Sequence, residues 1–164
     1  MTSPRYVTDH EFFSFREVVP LVVASAMDLA LLTGHDLAAL LALTWKSVKA
    51  FGLPREQWAV EIERLFPGHP KSIYITADIE TALKACKMMK PLWPREFVLR
   101  GKDGLQISER EFKAIWRKYM RRWVEVRDER TAFSFSDIRL KALSDQQDTK
   151  RVSRRRTPRT RGEA

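Results

Sequence analysis

The sequence predicts a mostly helical α+β domain with a small antiparallel sheet, and three observations carry that reading. Apolar residues recur at three- to four-residue spacing in several segments, the longest ladder being Phe112, Ile115, Trp116, Tyr119, Met120 and Trp123. Capping signals precede the ladders: Thr8-Asp9-His10-Glu11 and Ser108-Glu109-Arg110-Glu111 both read as capping boxes. Between the helical parts lies one alternating hairpin, Ala59 to Glu63 returning through Ser72 to Ile75.

In chain order, residues 1–5 are expected to be disordered. Thr8 caps a helix that should run to about Val19, with Phe12, Phe15 and Val19 on one side, before Pro20 breaks or restarts it. The run Leu21 to Leu32 is too long for a typical strand and too short to span a bilayer. Thr33-Gly34 ends it, because glycine accepts the left-handed backbone found just past a helix. A short helix with Leu37, Leu40, Leu41 and Leu43 on its apolar side follows, closed by Trp45. By composition alone Pro20 to Val48 is a buried helix–turn–helix pair, and the rest of the chain is organised around it.

Lys46 to Arg55 reads as a connection, and Phe66 to Pro70 as the hairpin turn. Thr76 can cap a helix that places Ile79, Leu83, Cys86 and Met89 on one face, so Cys86 reads as a small core hydrophobe. Pro91 to Pro94 form a linker, and Phe97 to Leu99 a short strand turned by Gly101 to Gly104. That turn lacks the spacing and the strand–helix context of a phosphate loop. On the helix after Ser108, the basic residues Lys113, Arg117, Lys118, Arg121 and Arg122 fall largely away from the apolar stripe. They form either a solvated face or one that contacts phosphates.

Composition bounds the rest. The chain has 164 residues and 44% hydrophobic content, enough for one domain with a core. Of the net charge of +9, the segment 150–164 supplies +6, from seven Lys or Arg and one Glu. The expected organisation is therefore a domain over 6–149 and a basic, disordered tail over 150–164, suited to nucleic acid or another anionic surface. One cysteine excludes an internal disulfide, and with His10, His35 and His69 scattered no metal site is expected. The first ten residues hold no apolar signal core, so the expectation is a cytoplasmic protein with no membrane span.

Two motifs resemble the catalytic domain of tyrosine recombinases, the lambda-type phage integrases. In that family a helix ends in Thr-Gly, one residue and an arginine follow, and a second helix ends in Leu-x-Trp. Here the residues are Leu31-Leu32-Thr33-Gly34-His35-Asp36, then Leu37 to Leu43, Thr44 and Trp45, so Asp36 stands at the arginine position. The second motif, Phe133-Ser134-Phe135-Ser136-Asp137-Ile138-Arg139, resembles the family's Phe-His-Asp-Leu-Arg. Arg139 matches the second catalytic arginine, and Ser136 stands at the histidine, where it can cap a helix beginning at Asp137. The family's hairpin lysine has no counterpart near Leu65 to Gly68, and Lys71 is not expected to replace it. Thr149-Lys150-Arg151-Val152-Ser153-Arg154-Arg155 resembles the turn into Val-Tyr-Arg-Arg, with Ser153 at the tyrosine and the family's Gly-His segment missing. The likeness runs from about Thr8 to Ser153, and the N-terminal helical domain that integrases close around DNA is not expected before it.

The resemblance implies a reaction in which two arginines hold the scissile phosphate, a lysine and histidines move protons, and a tyrosine attacks to give a covalent 3′-phosphotyrosine. Arg139 is the one catalytic position retained, so the expectation is a degenerate, truncated integrase domain without strand-transfer activity and without a cofactor. Its implied partner is double-stranded DNA, held by Lys113, Arg117, Lys118, Arg121, Arg122, Lys150, Arg151, Arg154, Arg155 and Arg156 and placing the protein on the nucleoid when bound. The alternative is a decayed mobile-element remnant acting as a non-specific polyanion-binding or protein-interaction module. A third reading is an active strand transferase with replacement residues.

Overall fold

In the computed structural model, which describes residues 4–49, 57, 59–61, 72–90, 96–127 and 130–156, the apolar run becomes α2 (Leu21–Thr33). A helix apolar on every side must be covered on every side. Accordingly α2 buries Val23, Ala24, Ser25, Ala26, Met27, Leu29 and Ala30. Around it pack α1 (Asp9–Arg16), α3 (Leu37–Leu41), α4 (Ala77–Lys87) and α6 (Phe135–Arg156). Helix α5 (Glu109–Glu125) completes the helical set among the described residues and packs against α3.

The helix ends follow the local chemistry. Thr8 and Glu11 form the reciprocal capping box of α1. Thr76 caps α4 and Ser108 caps α5 through the third backbone N–H of each helix. Gly34 ends α2 at φ 70°, its N–H donating to Ala30 O at 2.8 Å. A Cβ at Gly34 would meet nothing within 4 Å, so the glycine is required by backbone conformation rather than by space.

The sheet has three antiparallel strands in the order β1 (Val48–Lys49), β2 (Ala59–Glu61), β3 (Ser72–Tyr74). Val48 stands opposite Val60, and Val60 opposite Ile73. The β2–β3 hairpin is the expected one, whereas β1 lies in the segment read as a connection. The turn Phe66 to Pro70, Lys71 and the linker Pro91 to Pro94 lie outside the described residues. Phe97 to Leu99 do not form the expected strand: two isolated bridges, Thr44 to Phe97 and Arg100 to Gln106, stand there instead. The partner backbone leaves after Thr44 into a 3-10 turn, Trp45–Ser47, and cannot extend the ladder.

The core is continuous from the helices to the sheet and includes Val60. Its densest part is aromatic. Phe15 of α1 lies edge-on to Trp116, Trp123 and Phe133, with centroids 4.9, 5.7 and 5.4 Å away. Trp116 Nε1 donates to Phe133 O at 3.3 Å, so α5 is tied to the strand-like segment that leads into α6. Fully burying each such ring contributes about 1.5–3 kcal/mol. Cys86 is wholly buried, and burial, opposed by Ser25 and Arg100, pushes its thiol up to about 11. Arg100 is also buried and donates to Cys86 O and Met89 O, satisfying carbonyls that α4 leaves at its end.

Two boundaries differ from expectation. Arg5, placed in a disordered leader by the sequence, makes hydrogen bonds to residues more than 120 positions away. At the other end α6 is 22 residues long, and its helical backbone passes the expected tail boundary at Lys150 and continues to Arg156. Between Asp137 and Arg156 there is no glycine or proline to stop it, Pro158 being the first breaker. Residues 157–164 lie outside the described residues.

Candidate nucleic-acid interface

The site is assembled from two elements: the exposed face of α5 and the segment that opens α6. On α5, the ladder Phe112, Trp116, Met120 and Trp123 is buried, which leaves Lys113, Arg117, Lys118, Arg121 and Arg122 exposed on the remaining faces. Lys113, Arg117 and Arg121 stand at four-residue spacing, so they form one row with steps of about 6 Å. Lys113 pairs with Glu109 at 3.1 Å, a solvent-exposed contact of small energetic weight. Arg117 Nε donates to Lys113 O at 3.2 Å, which holds the guanidinium along the helix.

This row borders a groove of about 920 Å³ between α5 and residues 132–136. From α5, Lys113, Arg117 and Arg121 line it beside Glu109, Glu125 and Trp116, and from the facing segment Phe133, Phe135 and Ser136. The structure thus brings three of the expected DNA-contacting cations, Lys113, Arg117 and Arg121, to a groove that Ser136 also lines. Lys118 and Arg122 border a second groove of about 590 Å³, together with Arg117 and Arg121. Arg110, which the sequence reading passed over as part of a cap, also lines the larger groove.

At the start of α6 the cap is not Ser136, which is exposed. Asp137 is the acceptor there: the N–H and Oγ of Ser134, just ahead of the helix, donate to its Oδ2 at 2.7 and 2.9 Å. The capping pair thus begins two residues before the serine that the sequence suggested, because the helix itself begins at Phe135. Asp137 is buried, and its other oxygen accepts from Arg5 N at 3.1 Å. Arg139 follows one turn into the helix and is half-buried.

Asp36 has a structural task. It is the N-cap of α3, and its Oδ1 accepts from Ala39 N at 2.9 Å. The neighbouring His35 is buried with Nδ1 3.1 Å from Thr33 O. Both α3 and α6 pack on α2, which places Asp36 and Arg139 on elements that share one support. Ser153, Lys150, Arg151, Arg154, Arg155 and Arg156 continue the backbone of α6.

A cluster the sequence reading missed lies on α6 beside this site. Lys141 is 1% exposed, and its Nζ meets Asp9 Oδ1 at 2.5 Å, Asp145 Oδ2 at 3.0 Å and the Tyr6 hydroxyl at 3.2 Å. Burial opposes its charge, but these partners outweigh burial and hold its titration above the usual lysine range. The i,i+4 spacing to Asp145 is its one local signal, and Tyr6 and Asp9, which complete the cluster, are remote in the chain. Among the described residues, no three His, Cys, Asp or Glu side chains gather as a metal ion would need, and no helix is long and apolar enough to cross a membrane.

The architecture is that of the tyrosine-recombinase catalytic core, a mostly helical α+β fold with a small antiparallel sheet. The chain is similar to the lambda integrase catalytic core, with a TM-score of 0.63 at 18% identity, and the match covers 95% of both chains. It is also similar to the integrase of transposon Tn1549, solved in complex with circular intermediate DNA, with a TM-score of 0.71 at 12% identity. That match covers 91% of this chain and 54% of the other, so this chain spans about half the length of the Tn1549 structure. XerH recombinase bound to its difH substrate matches with a TM-score of 0.60 at 15% identity, over 90% of this chain and 44% of that one. No protein-family model matches the sequence, and no curated relative matches it.

Proposed function

We propose that the chain is a recombinase-like DNA-binding protein, related to the integration and recombination of mobile DNA, that does not itself carry out strand transfer. The observation that carries the binding half is the row Lys113, Arg117, Arg121 opening onto the groove that ends at Ser136, the start of the helix bearing Arg139. Cations in steps of about 6 Å can follow a phosphate backbone, and Arg139 can add a planar two-donor contact to one phosphate. DNA as partner is supported by solved neighbours of this architecture, the Tn1549 integrase in complex with circular intermediate DNA and the lambda integrase dimer bound to a COC' core site; the proposed partner is the duplex form.

Two features support the inactive half. Asp36 is engaged in capping α3, and at the position that the resemblance aligns with the family's phosphate-clamping arginine it carries negative charge. Ser153 and Arg139 share one continuous helix and lie fourteen residues apart, a rise of about 21 Å. A serine hydroxyl also needs an activating base to act as a nucleophile.

The test is a salt titration of duplex binding for the wild type and for Arg117→Glu/Arg121→Glu, with a denaturing gel for covalent adducts. The expectation is a steep salt dependence that flattens in the variant by about 0.9 in slope for each lost phosphate contact, and no adduct. An unchanged slope would remove α5 from the interface. An adduct lost in Ser153→Ala would show an enzyme with a substituted nucleophile. Equal displacement from DNA by heparin, with no sequence preference, would favour the polyanion-binding module.

A further inference from the structure

We infer that residues 5–9 act as a strap that sets the roll and register of α6, making Arg5 and Lys141 positioning residues for Arg139. The inference rests on the reading of Arg139 as a phosphate contact. At the upper end, Arg5 N donates to Asp137 Oδ1 at 3.1 Å, and its guanidinium donates to Thr131 O at 2.6 Å and Ala132 O at 3.4 Å. Glu11 holds the same guanidinium from the other side, 2.9 Å away. In the middle, Lys141 joins Asp9 and Tyr6. Further along, the Tyr6 hydroxyl donates to Asp145 Oδ1 at 3.0 Å.

The spacing matters. Asp137, Lys141 and Asp145 recur every four residues, so the strap grips one face of α6 along two turns. At 100° per residue, Arg139 projects from roughly the opposite face. A helix held from behind at three successive points can neither rotate nor slide, and rotation or sliding is what would misdirect Arg139. None of the strap residues is itself needed to touch DNA for this to work. Lys141 is buried, and its ammonium is committed to the strap.

The experiment is a double-mutant cycle in duplex DNA affinity, by fluorescence anisotropy on the full chain. It uses Arg5→Ala, Lys141→Met, Arg139→Ala and the two doubles with Arg139→Ala, with thermal melts of each. Arg139→Ala is expected to weaken binding about tenfold, as for loss of a hydrogen bond to a charged group. Arg5→Ala and Lys141→Met should each weaken it about threefold or more in the wild type, and by less than about 1.5-fold once Arg139 is gone, because positioning has no effect without the positioned group. If Lys141→Met does not fold, Tyr6→Phe, which removes the hydroxyl shared by Lys141 and Asp145, decides in its place, since Arg5→Ala keeps the N–H to Asp137 and removes only the guanidinium anchor. Equal losses in both backgrounds would overturn the inference while leaving Arg139 as a contact, since they would reflect lost charge or stability. No loss in either strap variant would do the same. If Arg139→Ala binds as the wild type does, the contact reading fails first and the inference falls with it.

Discussion

Asp36 offers a perturbation in which stability and DNA affinity should move separately. Its carboxylate caps α3 through Ala39 N at 2.9 Å, and loss of such a cap costs about 1 kcal/mol. For a domain of this size that is a fall of about 2–4 °C in Tm. Asn caps as well as Asp, so Asp36→Asn should keep the Tm while removing the charge. A carboxylate about 6 Å from a phosphate in a water-like medium repels it by about 0.7 kcal/mol, so the Asn variant should bind duplex DNA about threefold more tightly. Asp36→Arg should gain about tenfold and still lose the cap, becoming the better binder and the less stable protein. Asp36→Ala should match Asn in affinity and Arg in Tm. Thermal melts and fluorescence anisotropy at low ionic strength separate the two effects, and the affinity differences should shrink as salt is added. Unchanged Kd in both Asn and Arg variants would refute the placement of Asp36 at the phosphate. An Ala variant as stable as Asn would refute the capping argument.

Removing residues 157–164 should leave duplex affinity nearly unchanged, whereas removing 150–164 should weaken it for all sequences alike and flatten the salt slope, because the second truncation takes five more cations with it. Phe15→Ala should cost about 3–5 kcal/mol, a fall of roughly 6–20 °C in Tm, while Phe13→Ala, at a ring 53% exposed, should stay within about 0.5 kcal/mol. The Glu11 carboxyl is driven up by burial but held below its ordinary value by Arg5 and Thr8, which outweigh burial. Below the ordinary value the unfolded chain binds the proton first, so stability should drop as pH falls through that window, and Glu11→Gln should flatten Tm against pH between about 5 and 3.

Much of the fold was legible because it is written locally. The caps at Thr8, Thr76 and Ser108, the stop at Gly34 and the aromatic ladder of α5 each depend on residues within a few positions of one another. Of the candidate site, the exposed cations of α5 followed from the same periodicity. Their approach to Phe133, Phe135 and Ser136 across a groove did not, since it needs the tertiary packing of Trp116 on Phe133. Ser136 was favoured as a cap because the motif was read from Asp137, while the helix starts two residues earlier and recruits Ser134. The extension of α6 was hidden by composition: a run of arginines reads as tail, yet arginine is a good helix former and no breaker intervenes before Pro158. The roles of Arg5 and Lys141 were not legible. The partners that tie them across the fold lie 126 to 135 residues away, beyond any periodic signal.

That separation has a consequence for how the protein is made. Asp137 is added 132 residues after Arg5, and Asp145 139 residues after Tyr6. At about 5–20 residues per second the strap waits roughly 7 to 28 s for its partner helix. Throughout that interval α2 lacks the cover of α6, and Phe15 gains Trp116, Trp123 and Phe133 only over its last part. Contacts this distant also close slowly once available, since the long loop must be ordered first. The nascent chain therefore carries the α6 side of its most apolar helix uncovered for that interval, and the closing of α6 covers that side and brings Arg139 into register together.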